Sequence, residues 1–144
     1  MELPVRRLAS DATLPSAQHE GDAGLDLCAN DDVEVLPGER AMISTGIAVA
    51  IPDGFAGLVL PRSGLASKRG LTLANSPGLI DSGYRGEVMV AAVNLDRTEA
   101  VKVMRGDRIA QLVVVAVPVV ESAWVDELPP SERGVGGFGS TGTS

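Results

Sequence analysis

Residues 75–89 read N-S-P-G-L-I-D-S-G-Y-R-G-E-V-M, and we interpret this central stretch as the part around which the chain is organised. A turn cluster precedes the apolar pair Leu79 and Ile80, and two glycines lie on either side of Tyr84 before a strand-like run begins. Glycine lets a backbone turn tightly and approach a ligand without an intervening Cβ atom. The stretch therefore predicts a hairpin whose backbone groups can read a small, flat heterocycle.

Asp81 is the carboxylate of this central stretch. It follows two apolar residues and stands beside glycines rather than within a charged run. A carboxylate in such a setting can act as a general base. Aspartate is also common in tight turns, where it accepts hydrogen bonds from its own backbone. The sequence alone leaves both interpretations open.

The chain is short and acidic. Its 144 residues fall within the size range of a single domain with its own core. Lys and Arg number 12 against 19 Asp and Glu, which gives a net charge of −7. Such a chain lacks the basic surface that nonspecific binding to nucleic acid or anionic membranes requires. We therefore predict no nucleic-acid and no membrane partner, and we expect any polyanion to be bound by local cations.

Cys28 and His19 are the only residues of their types. One cysteine excludes an internal disulfide, and we predict that Cys28 is a small buried hydrophobe rather than a nucleophile. A His/Cys metal site is not available, so a metal would be a hard cation held by oxygen atoms, partly from the substrate. The N-terminus shows no apolar signal segment, and we predict a cytoplasmic protein.

Strand-like runs follow one another, separated by turn signals roughly every eight to twelve residues. The main runs cover residues 33–36, 41–51, 56–60, 87–94, 100–104 and 109–120. No amphipathic helix of useful length interrupts them, which predicts an all-β sandwich, jelly roll or barrel. We expect 109–120, too short to span a bilayer, to be a buried strand, and Trp124 and Pro129-Pro130 to close the body after it.

Three polar positions each have two interpretations. Asp26, between leucines, either faces a site or lies on the solvated face of a strand. Ser63 follows Arg62 and precedes a predicted helical turn over 65–69; it belongs to a phosphate site there or simply caps the helix. Gln111 is the polar residue in the first half of the last apolar run, and it either caps a neighbouring backbone or faces a ligand.

The last residues, 131–144, read S-E-R-G-V-G-G-F-G-S-T-G-T-S. Their glycine content predicts a flexible end rather than a core element. The tail nevertheless carries Arg133, Phe138, Ser140 and Thr141. A flap that closes over an aromatic base and a phosphate chain needs a cation, a stacking ring and hydroxyl donors of this kind.

Five motifs occur together in this chain and cover nearly its whole length. They are A-G-L-D-L at 23–27, P-R-S-G-L-A at 61–66, G-L-I-D-S-G-Y-R-G-E at 78–87, G-D-R-I-A-Q-L at 106–112 and R-G-V-G-G-F-G-S-T-G at 133–142. In this set and order the sequence resembles the homotrimeric dUTP diphosphatases, or dUTPases.

The resemblance implies an all-β, jelly-roll (β-clip) subunit, with a dUTPase-like β domain over 1–130 and a flexible glycine-rich C-terminal tail over 131–144 that carries the fifth motif. It implies a homotrimer whose active sites are shared between subunits. The implied reaction converts dUTP and water into dUMP and pyrophosphate, with Mg²⁺ bound by the triphosphate. That reaction limits uracil incorporation into DNA and supplies dUMP for dTMP synthesis.

The resemblance also implies a role for each motif residue. Asp81 would activate the water that attacks the α-phosphorus, and Asp26 would hold the metal through ordered water. Tyr84 would pack against the sugar and exclude a ribose 2′-hydroxyl, and Met89 would lie where the return strand approaches the nucleoside.

The remaining roles concern the base and the phosphates. The uracil would be read by Asn75 and the backbone around Leu79 and Ile80. The resemblance assigns the phosphates and the closing tail to Arg62, Ser63, Gly64, Gln111, Arg133, Phe138, Gly139, Ser140 and Thr141, with Phe138 over the base.

Two other functions compete with this interpretation. The dCTP deaminases share the fold and parts of the hairpin, but the complete P-R-S-G-L-A motif and the tail with its phenylalanine favour a dUTPase. A nucleotide-binding module that has lost turnover is a second alternative, because a fold never guarantees a function. The presence of Asp26, Asp81 and Arg133 speaks against it.

Overall fold

The computed structural model describes residues 1–132 together with Gly134 and Val135. Within them the chain forms ten strands and one short helix. The strands are β1 (Val5–Arg7), β2 (Leu25–Cys28), β3 (Val33–Val35), β4 (Arg40–Val49), β5 (Phe55–Pro61), β6 (Leu71–Leu73), β7 (Gly78–Ile80), β8 (Glu87–Asn94), β9 (Val101–Val103) and β10 (Arg108–Ala116). The helix α1 (Ser63–Arg69) lies between β5 and β6. The described residues contain no helix that is long and apolar enough to cross a membrane.

Two four-stranded antiparallel sheets make up most of the fold. The first has the order β1-β4-β8-β6, the second has the order β2-β10-β5-β7, and β3 pairs with β9 in a separate ribbon. One hydrophobic core contains residues from all three, including Ile43 of β4, Leu112 of β10 and Val35 of β3. The predicted all-β, jelly-roll architecture is confirmed.

Strand β8 shows how the sequence produces this core. Val88, Val90 and Ala92 are buried, while Met89 between them is exposed. Successive side chains of a strand point to opposite faces, so this alternation buries one face of β8. The β-branched valines also suit the half-buried surface of a pleated sheet. Met89 is thereby directed away from the core.

The predicted hairpin in the central stretch is wrong in one respect. Strand β7 pairs with β5, with Gly78 opposite Val59 and Ile80 opposite Gly57, whereas β8 pairs with β4 and β6. The two strands therefore belong to different sheets, and residues 81–86 connect the sheets. Local sequence signals identified both strands, but the partner of each strand lies far away in the chain.

The predicted strand over 109–120 is correct only in its first part. Strand β10 ends at Ala116, which is paired with Phe55 at the beginning of β5. The next ladder-like bond, from Val117 N–H to the Gly54 carbonyl, is 2.9 Å long, and Pro118 has no N–H to continue the pattern. Trp124 is fully exposed rather than packed against the body. The prediction that Trp124 closes the body is therefore wrong for this chain taken alone.

Asn94, at the end of β8, is a fully buried polar side chain. Its Nδ2 donates to the carbonyl oxygens of Val35, at 3.0 Å, and Glu99, at 2.8 Å. Its Oδ1 accepts a hydrogen bond from the Asp96 N–H at 2.9 Å. One side chain thus ties the first sheet to β3 and to the turn that leads into β9.

We expect Asn94→Ala to lower the free energy of unfolding by about 2–4 kcal/mol, because this side chain is fully buried and three backbone groups lose their hydrogen-bond partner. Urea unfolding at one fixed protein concentration measures the change. Thr98→Ala is the control, because that exposed hydroxyl contacts only Asp96 of its own turn; we expect it to cost less than about 0.5 kcal/mol. An equally small effect of Asn94→Ala would contradict the role of Asn94.

Candidate active site

Two clefts contain all of the predicted site residues that the structure describes. The α1 cleft, of 790 Å³, is lined by Gln18, Asp22, Ala23, Gly24, Asp26, Arg62, Ser63, Gly64, Leu65, Lys68, Arg69, Gln111 and Val113. The central cleft, of 280 Å³, is lined by Met42, Val59, Asn75, Gly78, Leu79, Ile80, Asp81, Tyr84, Glu87, Val88 and Met89. No lining residue is common to both clefts.

Strand pairing brings three of the five motifs together at the α1 cleft. Asp26 of β2 lies opposite Gln111 of β10. On the other side of β10, Ala110 lies opposite Pro61, the last residue of β5. Helix α1 begins two residues later, at Ser63. The first, second and fourth motifs therefore meet because β10 lies between β2 and β5 in the second sheet.

Asp26 lies in this cleft between two guanidinium groups. Its carboxylate is 3.2 Å from Arg62 Nε and 3.3 Å from Arg108 Nη1, and its side chain is only 12% exposed. Arg62 also donates from Nη1 to the Arg108 carbonyl at 3.1 Å. The interpretation of Asp26 as a residue of a site is thus favoured over that of a solvated surface residue. The carboxylate thus pairs with Arg62, which lines the cleft, and with Arg108.

Gln111 satisfies both interpretations of its side chain. Its Nε2 donates to the Pro61 carbonyl at 3.1 Å, which caps the end of β5, and the side chain also lines the α1 cleft. Its Oε1 lies against Gly24, where a Cβ atom would come within 2.5 Å of it. A glycine at position 24 therefore leaves the space that this side chain occupies.

The start of α1 differs from a simple serine cap. Arg62 is the N-cap residue, it makes no side-chain capping bond, and Ser63 is already helical. The predicted turn over 65–69 is confirmed within α1, whereas the interpretation of Ser63 as the cap is wrong. Ser63 and Gly64 are exposed in the cleft, in the first turn, where helix geometry provides no intrahelical acceptor for the N–H groups.

Three cations at this cleft were not predicted as site residues. Lys68 and Arg69 line it from the last turn of α1, and Arg108 is bound to Asp26. Helical spacing could have identified Lys68, which follows Gly64 by four residues and shares its face of the helix. Arg108 gave no such signal, because a charged residue in a polar turn is usually a solvated residue.

Cys28 lies in β2 close to the Asp26 carboxylate. Partial burial raises the pKa of the Cys28 thiol, and the negative charge of Asp26 raises it further. A thiol is nucleophilic only when it is deprotonated. The environment therefore favours an inert thiol over a nucleophile, but the prediction that Cys28 is buried is wrong, because its side chain is only partly buried.

The central cleft brings together six predicted residues, namely Asn75, Leu79, Ile80, Asp81, Tyr84 and Met89. The side-chain amide of Asn75 lies over Gly78, where a Cβ atom would approach Nδ2 to 3.3 Å. Strand β7 is the last strand of its sheet, so the side of its backbone that faces away from β5 is not part of a ladder. Such an edge presents N–H and C=O groups to a ligand.

Asp81 is exposed at the end of β7. Within the part of the chain that the structure describes, no hydrogen bond or ion pair to its carboxylate occurs; its backbone carbonyl accepts the Tyr84 N–H at 3.1 Å. The interpretation of Asp81 as a side-chain cap of its own turn is therefore not supported. Met42 and Glu87 also line this cleft and were not predicted.

The charges of the two clefts differ. The α1 cleft is lined by Arg62, Lys68 and Arg69, while the described lining of the central cleft contains no Lys or Arg. Asp22 and Asp26 provide carboxylate oxygens in the α1 cleft. Among the described residues no group of three or more His, Cys, Asp or Glu side chains forms a metal cage.

The predicted site residues of the fifth motif are not placed in this arrangement. Arg133, Phe138, Gly139, Ser140 and Thr141 lie outside the described residues. Their predicted roles stay predictions.

Comparisons with known proteins give one consistent result. The sequence model of the dUTPase family matches residues 10–142. The deoxyuridine 5′-triphosphate nucleotidohydrolase of Thermobifida fusca is 54% identical over 142 residues, which cover 99% of this chain and 79% of that protein. The corresponding protein of Nocardia farcinica is 50% identical over 140 residues, covering 97% and 85% of the two chains.

Solved structures agree with these sequence matches. A dUTPase of a Staphylococcus bacteriophage, 80alpha, in complex with dUpNHpp superimposes with a TM-score of 0.91 and 34% identity, and 99% of each chain is covered. A mutant dUTPase of phage phi11 of S. aureus, described with a structural Mg(II) ion, gives a TM-score of 0.82 at 31% identity, covering 88% of this chain and 98% of that one. Since the family match extends over both clefts and nearly the whole chain, the protein belongs to the dUTPase family.

Proposed function

We propose that this dUTPase cleaves dUTP by attack of an Asp81-activated water on the α-phosphorus, which releases dUMP and pyrophosphate. The observation that carries the proposal is the position of the Asp81 carboxylate in the central cleft, whose described lining residues include no Lys or Arg. A general base must have a lone pair available for the proton of the water. Phosphoryl transfer otherwise requires positioning and charge neutralisation, and the two clefts provide donors for both.

The central cleft would bind the nucleoside. The free backbone edge of β7 at Leu79 and Ile80, together with the Asn75 amide, offers donors and acceptors for the edge of a uracil ring. Tyr84 would lie against the deoxyribose and exclude a 2′-hydroxyl. Met89 is exposed on β8, on the face away from the core, where it borders the same cleft.

The α1 cleft would bind the triphosphate. Arg62 and Gln111 are held by hydrogen bonds to backbone carbonyls, and Ser63 and Gly64 contribute the first turn of α1. Guanidinium groups and helix-start N–H groups are suitable donors for phosphate oxygens.

The residues of the α1 cleft fit a magnesium ion that is bound mainly by the substrate. Asp26 and Asp22 provide the hard oxygen donors that Mg²⁺ prefers, and Mg²⁺ usually retains several waters when it binds phosphates. Asp26 would hold the ion through water. When bound, the ion neutralises phosphate charge and orients the triphosphate.

A complete site requires both clefts, and one chain keeps them separate. The central cleft has the proposed base but no Lys or Arg among its described lining residues, while the α1 cleft has the cations. We propose a homotrimer in which the central cleft of one copy faces the α1 cleft of another. The tail over 131–144, with Arg133, Phe138, Gly139, Ser140 and Thr141, would close the site from a third copy, while residues 1–130 form the β domain.

The proposed reaction also defines a physiological role. Removal of dUTP keeps uracil out of newly made DNA, and the product dUMP is the precursor for dTMP synthesis. Action in the cytoplasm stays a prediction.

We expect pyrophosphate release from dUTP in the presence of Mg²⁺ and little release from dTTP, dCTP or UTP. EDTA should abolish the reaction, because only protein groups then neutralise the phosphate charge, and added Mg²⁺ should restore it. Ammonia release from dCTP should be absent. Equal rates with all four nucleotides, or no release from dUTP, would contradict the proposed function.

We expect Asp81→Asn to lower kcat by about 10²–10⁴-fold, because the amide cannot accept the proton of the water. Binding of the dUTP analogue dUpNHpp, measured by calorimetry, should change less than about threefold, since the shape of the side chain is kept. Asp53→Asn is the matched control, because Asp53 is exposed in the turn between β4 and β5. A wild-type rate for Asp81→Asn would exclude Asp81 as the base.

Mixing two inactive variants tests the shared site. Asp81→Asn disables the central cleft and Arg62→Ala disables the α1 cleft, so we expect each variant alone to be nearly inactive. If one site takes the two residues from different copies, random co-refolding of equal amounts should restore about a quarter of the wild-type rate. Each variant refolded alone is the control. No recovery in the mixture would show that both residues of a site come from one chain.

A further inference from the structure

The backbone conformation does not explain the glycine at position 86. Seven described glycines adopt a positive φ angle, and Gly86 is not among them. The obstacle to a side chain is the ring of Tyr84. A Cβ atom on Gly86 would be 2.7 Å from Cζ and 3.0 Å from Cε2 of that ring, and the phenol oxygen would be closer still. The Tyr84 ring therefore lies directly on the Gly86 backbone.

Glu87 links the Tyr84 ring to the first sheet, because its carbonyl binds the tyrosine and its carboxylate binds β4. The Tyr84 hydroxyl donates to the Glu87 carbonyl at 2.9 Å. The Glu87 carboxylate, through Oε1, accepts the Ser44 hydroxyl at 2.5 Å and the Gly46 N–H at 2.8 Å. Both donors belong to a bulge, because the register between β4 and β8 shifts between Ser44 and Ala48.

The bulge is itself well anchored. Gly46 has a φ angle of 67° and is packed so closely that a Cβ atom would lie 2.9 Å from Ala12 Cβ and from Asn30 Oδ1. The buried Thr45 hydroxyl donates to the Val88 carbonyl at 2.5 Å. A rigid part of the first sheet thus holds Glu87, and Glu87 holds the ring of Tyr84 through its carbonyl.

We propose that Gly86 and Glu87 are positioning residues that seat the Tyr84 ring in the central cleft and thereby set the discrimination between deoxyribose and ribose nucleotides. The proposal rests on the proposed function, since it requires that Tyr84 lies against the sugar. The Tyr84 ring excludes a 2′-hydroxyl only if it cannot move aside. Its contact with the Gly86 backbone and its hydrogen bond to the Glu87 carbonyl remove that freedom. Neither residue needs to touch the substrate for this effect.

The test compares two glycines of the same loop. Gly86→Ala places a methyl group against the ring, whereas Gly83→Ala places one where no atom lies within 4 Å. We expect Gly86→Ala to reduce the ratio of kcat/KM for dUTP to that for UTP by about tenfold or more. A higher KM for dUTP and a higher turnover of UTP should account for most of this change. Gly83→Ala should keep the ratio within about twofold. An unchanged ratio in Gly86→Ala would overturn the proposal.

A second measurement does not depend on activity. Tyr84 is the only tyrosine of the chain, so the ring resonances of tyrosine-labelled protein report on the surroundings of this ring alone. They should shift in Gly86→Ala and stay in place in Gly83→Ala. Identical spectra in all three proteins would show that the ring is not seated on Gly86.

Glu87 is tested by a conservative and a disruptive variant. Glu87→Ala removes the acceptor of the bulge and should lower the dUTP/UTP ratio, while Glu87→Gln keeps an oxygen acceptor and should restore most of it. Should these variants not fold, Tyr84→Phe still tests the seat, because it removes only the bond to the Glu87 carbonyl from a half-exposed ring. A wild-type ratio in Tyr84→Phe with an unshifted ring would then overturn the proposal. Absence of dUTP turnover in the wild-type protein would instead contradict the proposed function.

Discussion

The crossing between the two sheets is the constraint on which the central cleft depends. Strands β7 and β8 are consecutive in the chain but belong to different sheets, so residues 81–86 must pass from one to the other. Pairing of β7 with β5 fixes one end of this connection, and the bond of the Glu87 carboxylate to the Gly46 N–H fixes the other. Asp81 and Tyr84 are therefore carried by a short segment that is held at both ends. Fixing both ends limits how far this short loop can move, so the positions of Asp81 and Tyr84 depend on the pairing of both sheets.

The distribution of charge separates the two halves of the site. An acidic chain of net charge −7 repels a polyanionic nucleotide at long range, so attraction must be local. The cations Arg62, Lys68 and Arg69 are concentrated at the α1 cleft, and the described lining of the central cleft has only carboxylates as charged groups. In the proposed function, the triphosphate and the nucleoside are thus bound by different surfaces of the chain. Assembly of the proposed homotrimer would join these surfaces, and the quaternary structure would then be part of nucleotide binding.

Sequence reasoning identified which residues belong together but not how every strand is paired. Strand-like runs separated by regular turn signals were sufficient to predict the all-β class. Alternation along a strand, as in Val88 and Val90, shows which face is buried. It does not name the neighbouring strand, because pairing is decided by distant partners. For that reason β7 and β8 were predicted as one hairpin. The apolar run beyond Ala116 was predicted as buried because hydrophobicity does not show where the partner strand β5 ends.

Site residues were likewise predicted where they lie close together in the sequence, but not where they depend on contacts between distant strands. Six residues of the central cleft, and Asp26, Arg62, Ser63, Gly64 and Gln111 of the α1 cleft, were predicted from the sequence, most of them from contiguous motifs, and their roles stay predictions. Arg108 and Glu87 were missed, because their partners, Asp26 and Gly46, are at least 41 positions away in the sequence. Contacts of this type become visible only when the sheets are assembled.

The carboxylates Asp26 and Asp81 have different surroundings, and the proposed function gives them different roles. Each Asp26 oxygen lies beside one guanidinium group, Oδ1 beside Arg62 and Oδ2 beside Arg108. In the proposed function this carboxylate fixes the two arginines and orders the water of a metal ion. Asp81 lies at the end of an edge strand, in a cleft whose described lining has no Lys or Arg, and its oxygens stay available to a water. The proposed difference in role between Asp26 and Asp81 thus follows from the separation of the cations of the α1 cleft from the described lining of the central cleft.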